Sequence, residues 1–147
     1  MIYREEFGDL FEVDPSYMLA QCISADFAMG KGIAVEFNNR FDTKNQLKNK
    51  YPQYLQSFIQ NGIKGDCIAE GRVLNLITKE RYYQKPTYTT ITAALEKMKD
   101  YCLKNGISKI AMPLIGCGLD RLNWASVRNI IQSVFFNVNI EILVYKQ

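Results

Sequence analysis

The chain is expected to fold as an α/β domain with a mixed, mostly parallel central sheet and helices on both faces, a three-layer α/β/α sandwich. Three observations carry this expectation. Segments of strand character alternate with segments of helical spacing along the 147 residues. The strand segments are near-continuous apolar runs, Tyr17 to Ile23 being one, which suits strands covered on both faces. Two Gly-x-Gly turns, Gly30-Lys-Gly32 and Gly116-Cys-Gly118, stand between a strand segment and a helical one.

Ile2 to Phe7 is β-leaning and reads as an edge or entry strand, closed by a turn at Gly8-Asp9. Asp14-Pro15-Ser16 breaks the chain before the strand Tyr17 to Ile23. Ile33, Ala34, Phe37 and Phe41 have helical spacing, which puts Gly32 near a helix N-terminus whose free amides favour an anion. Residues 42–60 are polar and read as two short surface helices around Pro52. Cys67 to Glu70 and Arg72 to Thr78 read as strands joined at Gly71, with Lys79 where the second runs out. Thr87 to Asn105 is the clearest helix, with Ile91, Ala94, Leu95, Met98, Tyr101 and Cys102 on one face and Gly106 as its stop. A strand from Lys109 to Pro113, a helix from Trp124 to Phe136 and a strand from Ile140 to Tyr145 complete the order.

Length and a 48% hydrophobic content fit one domain over residues 1–147. There is no apolar run near the roughly twenty residues of a membrane span and no charged-then-apolar leader, so a cytoplasmic monomer without membrane attachment is expected. The four cysteines, Cys22, Cys67, Cys102 and Cys117, lack metal-site spacing and are expected to be reduced thiols. A net charge of +3 is too mild to demand nucleic acid but welcomes small anions. The chain has no histidine, which removes Ser-His and Cys-His nucleophile pairs and most zinc-hydrolase sites. No metal and no cofactor is expected, and acid-base work falls to Asp, Glu, Lys, Tyr or Cys.

The rim outside the strand ends gathers Ser24, Gly30 to Ala34, Lys79 and Gly116 to Asp120. Neither glycine pair completes a dinucleotide fingerprint, since Val35 and Arg121 take the third glycine position, but two such loops suit a diphosphate approached from both sides. Lys79 is either a solvated strand end or an amine nucleophile toward a sugar C1. Asp120 is either the cap of a helix beginning at about Leu122 or an acid-base group. Cys117 has no histidine to activate it and reads as a small residue filling the turn. Asp9 is either an Asx-turn former or an acceptor for a ligand's exocyclic amine.

Several stretches together resemble macrodomains of the terminal ADP-ribose protein glycohydrolase type. They are Gly8-Asp-Leu-Phe11, Ala20-Gln-Cys-Ile-Ser24, Met29-Gly-Lys-Gly-Ile-Ala34, Leu76-Ile-Thr-Lys79, Lys85-Pro-Thr-Tyr88, Leu103-Lys-Asn-Gly106, Met112 to Arg121 and Val144-Tyr145, in the family's order across nearly the whole chain. The resemblance implies that Asp9 and Leu10 hold adenine, that Gly32, Ile33 and Ala34 line the phosphates, and that Ser24 faces the distal ribose. It implies that Leu114, Ile115, Gly116, Cys117, Gly118, Leu119 and Asp120 wrap the diphosphate and distal ribose. Lys79 is then the nucleophile at ribose C1, displacing the carboxylate of a modified Glu or Asp, and Asp120 resolves the lysyl adduct. Such a leaving group needs little protonation, so one lysine and one aspartate suffice. Two departures, Gln21 for a histidine and Gln147 for a larger apolar residue that touches ligand, are expected at the pocket's edges.

The expected function is therefore a hydrolase of acyl-linked mono-ADP-ribose, on protein Glu or Asp or as O-acyl-ADP-ribose. Two rivals stand beside it. One is a non-catalytic ADP-ribose reader; the other is a hydrolase for ADP-ribosylated nucleic-acid bases, to which the basic stretch Lys44 to Lys50 would contribute. Nucleic acid enters only as a modified substrate.

Overall fold

A computed structural model describes all 147 residues, with β1 (Ile2–Phe7), β2 (Met18–Ser24), α1 (Ile33–Phe41), α2 (Thr43–Lys50), α3 (Tyr54–Gln60), β3 (Asp66–Glu70), β4 (Val73–Lys79), α4 (Tyr88–Asn105), β5 (Lys109–Met112), α5 (Trp124–Val134) and β6 (Glu141–Lys146) in chain order. The strands form one sheet in the order β1-β6-β5-β2-β4-β3. Every neighbouring pair is parallel except β3 with β4, which the turn at Gly71 makes antiparallel. The expected mixed, mostly parallel sheet is thus present. Five strands end at the same rim.

Side-chain alternation along the central strands separates two cores. Ala20, Leu74 and Leu76 face α4 and α5, where Ile91, Ala94, Leu95, Met98, Cys102, Val127 and Ile131 are buried. Leu19, Ile23, Val73 and Ile77 face the other layer, where Phe37 of α1, Leu47 of α2 and Phe58 of α3 are buried. Each fully buried Val, Leu, Ile, Phe or Met side chain among these stabilises by about 1.5–3 kcal/mol, so both layers hold the sheet from its two faces. α4 starts at a reciprocal capping box between Thr87 and Thr90 and stops at Gly106.

One reading of the sequence is corrected here. Gln21 does not edge a pocket: it is fully buried and donates to Asn75 Oδ1 at 3.0 Å, while Asn75 Nδ2 donates to Ile68 O at 3.1 Å. The two amides are direct neighbours in the β2–β4 register, which converts a costly buried polar group into a satisfied one on its donor side. The basic stretch Lys44 to Lys50 lies in α2, one of the two short helices expected over residues 42–60, and Lys50 is held by Glu70 at 2.8 Å.

At the β1 edge, Glu5 gathers donors from three elements. Tyr3 Oη, Trp124 Nε1 and Arg128 Nε donate to it at 2.6, 3.0 and 2.6 Å, and Lys146 Nζ stands 3.4 Å away. The Arg128 guanidinium, with these neighbours, holds the Glu5 carboxyl down at about 2.

Candidate active site

The rim carries a cleft of about 1480 Å³ lined by all of the residues the sequence singled out: Asp9, Leu10, Ser24, Gly32 to Ala34, Lys79, Leu114 to Asp120 and Gln147. The parallel sheet brings them together from four loops and the chain's last residue. Asp9 caps the turn Leu10–Glu12, accepting from Phe11 N at 2.9 Å, which fixes its carboxylate at one end of the cleft. Gly32 is the N-cap of α1 with φ +64° and ψ −153°, a conformation that suits only glycine, and no side chain caps the amides beyond it.

Lys79 reaches the cleft through an irregularity. Ser24 pairs with Lys79 rather than Thr78, a register shift that re-aims the last side chain of β4. Its Nζ donates to Asp120 Oδ1 at 3.0 Å, and both side chains are largely enclosed, at 14% and 19% exposure. Asp120 is not the helix cap. α5 begins at Trp124 and is capped by Asn123, which accepts from Ser126 N, so the Asp120 carboxylate is left for the lysine. The turn before it is shaped by Gly116, with φ +73°, where a Cβ would stand 2.6 Å from Ile91 Cδ1.

The neighbouring thiols are poor nucleophiles. Burial, with the Asp120 charge behind it, pushes Cys117 up to about 11 and Cys22 higher still. All four cysteines are free. No group of three or more His, Cys, Asp or Glu side chains is placed to hold a metal ion.

A family model, "Macro domain", matches residues 23–131, from the end of β2 through most of α5. The chain belongs to the Macro domain family. It is 43% identical over 139 residues to the ADP-ribose glycohydrolase OARD1 of Homo sapiens, covering 94% of this chain and 87% of that one. Among solved structures it is similar to the macrodomain of Thermus aquaticus DarG, with a TM-score of 0.76 at 22% identity over 99% of both chains. The DarTG of Thermosipho africanus in complex with ADP-ribose matches with a TM-score of 0.73 at 20% identity, over 95% of this chain and 40% of that one. These two likenesses concern the fold.

The macrodomain cleft also contains residues that sequence reasoning missed. Lys31, Arg40, Lys85 and Arg121 bring the cations lining it to five, against the carboxylates of Asp9, Glu36 and Asp120. Tyr82 and Tyr83, exposed by 60% and 65%, meet edge to face at its mouth. Asp26 does not line the cleft but ties its loops: it accepts from Ser24 Oγ, from Ala28 N at 3.1 Å and from Tyr82 N at 2.9 Å. The spacing Ser24-Ala-Asp26 at a strand end was the available signal for it. Phe27 and Met29, in the loop so tied, hold φ of +57° and +51°, strained values for bulky residues.

Proposed function

We propose that this macrodomain is an ADP-ribose glycohydrolase that removes acyl-linked mono-ADP-ribose, with Lys79 as nucleophile and Asp120 as its acid-base partner. The observation that carries the proposal is the enclosed 3.0 Å contact between Lys79 Nζ and Asp120 Oδ1 inside a cleft richer in cations than carboxylates. The likeness to a relative named an ADP-ribose glycohydrolase supports it. Asp9 and Leu10 receive the adenine end, the free amides of α1 and the Gly116 to Gly118 turn receive the diphosphate, and Ser24 faces the distal ribose. That arrangement leaves C1 of the distal ribose between Lys79 and the cleft mouth.

The Lys79 ammonium, held beside the Asp120 carboxylate, gives up one proton to solvent, and the free amine attacks C1. The C1–O bond breaks as the N–C1 bond forms, and the electron pair leaves with the acceptor as its carboxylate. Asp120 then removes a proton from water, the hydroxide attacks C1, the C1–N bond breaks, and Lys79 recovers its proton from Asp120. Because the leaving group is a carboxylate, holding the reactants in line supplies much of the acceleration.

Lys79→Ala is expected to abolish turnover of ADP-ribosyl-glutamate protein while ADP-ribose still binds, checked by release assay and calorimetry. Asp120→Ala is expected to trap an ADP-ribosyl adduct on Lys79, visible in the intact mass. Turnover by Lys79→Ala removes the lysine from the nucleophile's role, whereas binding without any turnover by the unaltered protein makes the chain a reader instead. A second reading, ADP-ribosylated nucleic-acid bases as substrate, is favoured by the exposed Tyr82 and Tyr83 rings at the mouth, since base–aromatic stacking is a common mode of single-strand recognition. Side-by-side turnover of an ADP-ribosyl protein and an ADP-ribosyl oligonucleotide separates the two. A monomer in the cytoplasm is the working state proposed, with size-exclusion chromatography as the check on the first point.

A further inference from the structure

The stretch Lys85-Pro-Thr-Tyr88 takes no part in the chemistry set out above, yet two of its side chains grip the loop that presents Asp120. Lys85 Nζ donates to Leu119 O at 2.7 Å, one residue before the carboxylate. Tyr88 Oη accepts from Asn123 N at 3.0 Å, three residues after it. A third point of support lies underneath, where Gly116 rests against Ile91, one turn further along α4. All three contacts thus come from the start of α4 and the residues just ahead of it.

That start is itself rigid. Thr87 N donates to Thr90 Oγ1 at 2.9 Å and Thr90 N returns a bond to Thr87 Oγ1 at 3.1 Å, so the first turn is closed on both sides. The gripped loop has little of its own to hold it. Its internal bonds are Cys117 N to Leu114 O, Arg121 N to Gly118 O and Leu122 N to Gly116 O, at 3.2, 3.2 and 2.8 Å, and Arg121 sits at φ +61°, a strained value that outside restraints must maintain. An acid-base carboxylate needs placement to within about half an ångström, which such a loop does not guarantee alone.

We propose that Lys85 and Tyr88 are positioning residues, which anchor residues 116–123 on either side of Asp120 and so set the carboxylate's reach to Lys79 and to the water that resolves the adduct. The proposal rests on the reading that an adduct forms on Lys79 and is resolved through Asp120. A lysine serving only to attract the diphosphate would act on affinity. A lysine that positions Asp120 acts on the second chemical step.

The test is a single-turnover reaction with ADP-ribosyl-glutamate protein, followed by intact mass, for Lys85→Met, Tyr88→Phe and Lys85→Arg, with Asp120→Ala as the reference. Lys85→Met and Tyr88→Phe are expected to accumulate the Lys79 adduct, with its resolution slowed by about tenfold or more, while the ADP-ribose Kd stays within about threefold. Lys85→Arg, which keeps a donor for Leu119 O, is expected to restore resolution. Lys85 is exposed, so Lys85→Met is expected to fold even where Tyr88→Phe lowers the melting temperature. Resolution by Lys85→Met at the normal rate, or weaker binding with normal resolution, overturns the positioning role. If Asp120→Ala itself traps nothing, the adduct mechanism fails and this proposal with it; if Asp120→Ala traps adduct and Lys85→Met does not, the positioning alone is wrong.

Discussion

Glu5 and Asp120 are carboxylates that each face a cation from a neighbouring element, and the fold furnishes them in opposite ways. Glu5 receives Tyr3, Trp124 and both ends of the Arg128 guanidinium, with Lys146 close by, and its carboxyl is held at about 2. Asp120 has a single side-chain partner, Lys79, and opens on the cleft. A carboxylate surrounded by donors is fixed in one protonation state and serves to lock elements together. One with a single partner keeps oxygen lone pairs for a proton in transit, which is what an acid-base group needs.

The largest effect expected from this contrast is on turnover. Asp120→Asn keeps the shape and removes the basic oxygen, and should lower the rate of product release by about 10²-fold or more while the melting temperature hardly moves. Glu5→Gln should do the reverse, costing about 2 kcal/mol of stability by chemical denaturation and leaving ADP-ribose affinity unchanged. A Glu5→Gln protein that melts normally, or an Asp120→Asn protein that unfolds, would break the comparison.

Acid sharpens it. The folded state holds Glu5 at about 2 against an ordinary 4.5, so the unfolded chain takes up this proton more readily. The stabilisation is complete above about pH 4.5 and is lost as the pH falls from there through about 2. Melting temperature should therefore fall more steeply between those values for the natural sequence than for Glu5→Gln, measured by circular dichroism. A smaller effect, about 1–2 kcal/mol, is expected for Gly116→Ala, whose Cβ meets Ile91 and whose φ of +73° disfavours a side chain. Smallest of all, Tyr82→Ala should change stability by under about 0.5 kcal/mol, because the ring is exposed at the mouth and supports no core.

Much of the site was legible because strand ends in a parallel sheet converge by topology, and Gly32, Lys79 and Gly116 to Asp120 all follow apolar strands. Asp120 as against Asn123 was not legible: both are good caps three residues apart, and only the path of the loop decides which one the helix takes. Gln21 misled for a related reason. Its partner Asn75 lies in another strand, and register, not local sequence, reveals that the two amides meet. Lys85, Arg121 and Arg40 carry no local mark of the cleft, since any surface helix or loop accepts such residues. The polar stretch 42–60 showed its two helices, yet its lysines could not show that they lie away from the cleft.

The place of β6 between β1 and β5 has a consequence for synthesis. A chain emerging from the ribosome can join β3 to β4, β4 to β2 and β5 to β2 as these strands appear, but β1 has no neighbour until residues 141–146 are out. β1 therefore waits for β6, with Tyr3, which packs against the core in the folded protein, uncovered in the interval. Gln147, which lines the cleft, follows β6 directly, so this part of the cleft wall forms only once β6 has paired. Nascent chains stalled before residue 141 should therefore lack a closed sheet and a complete cleft together.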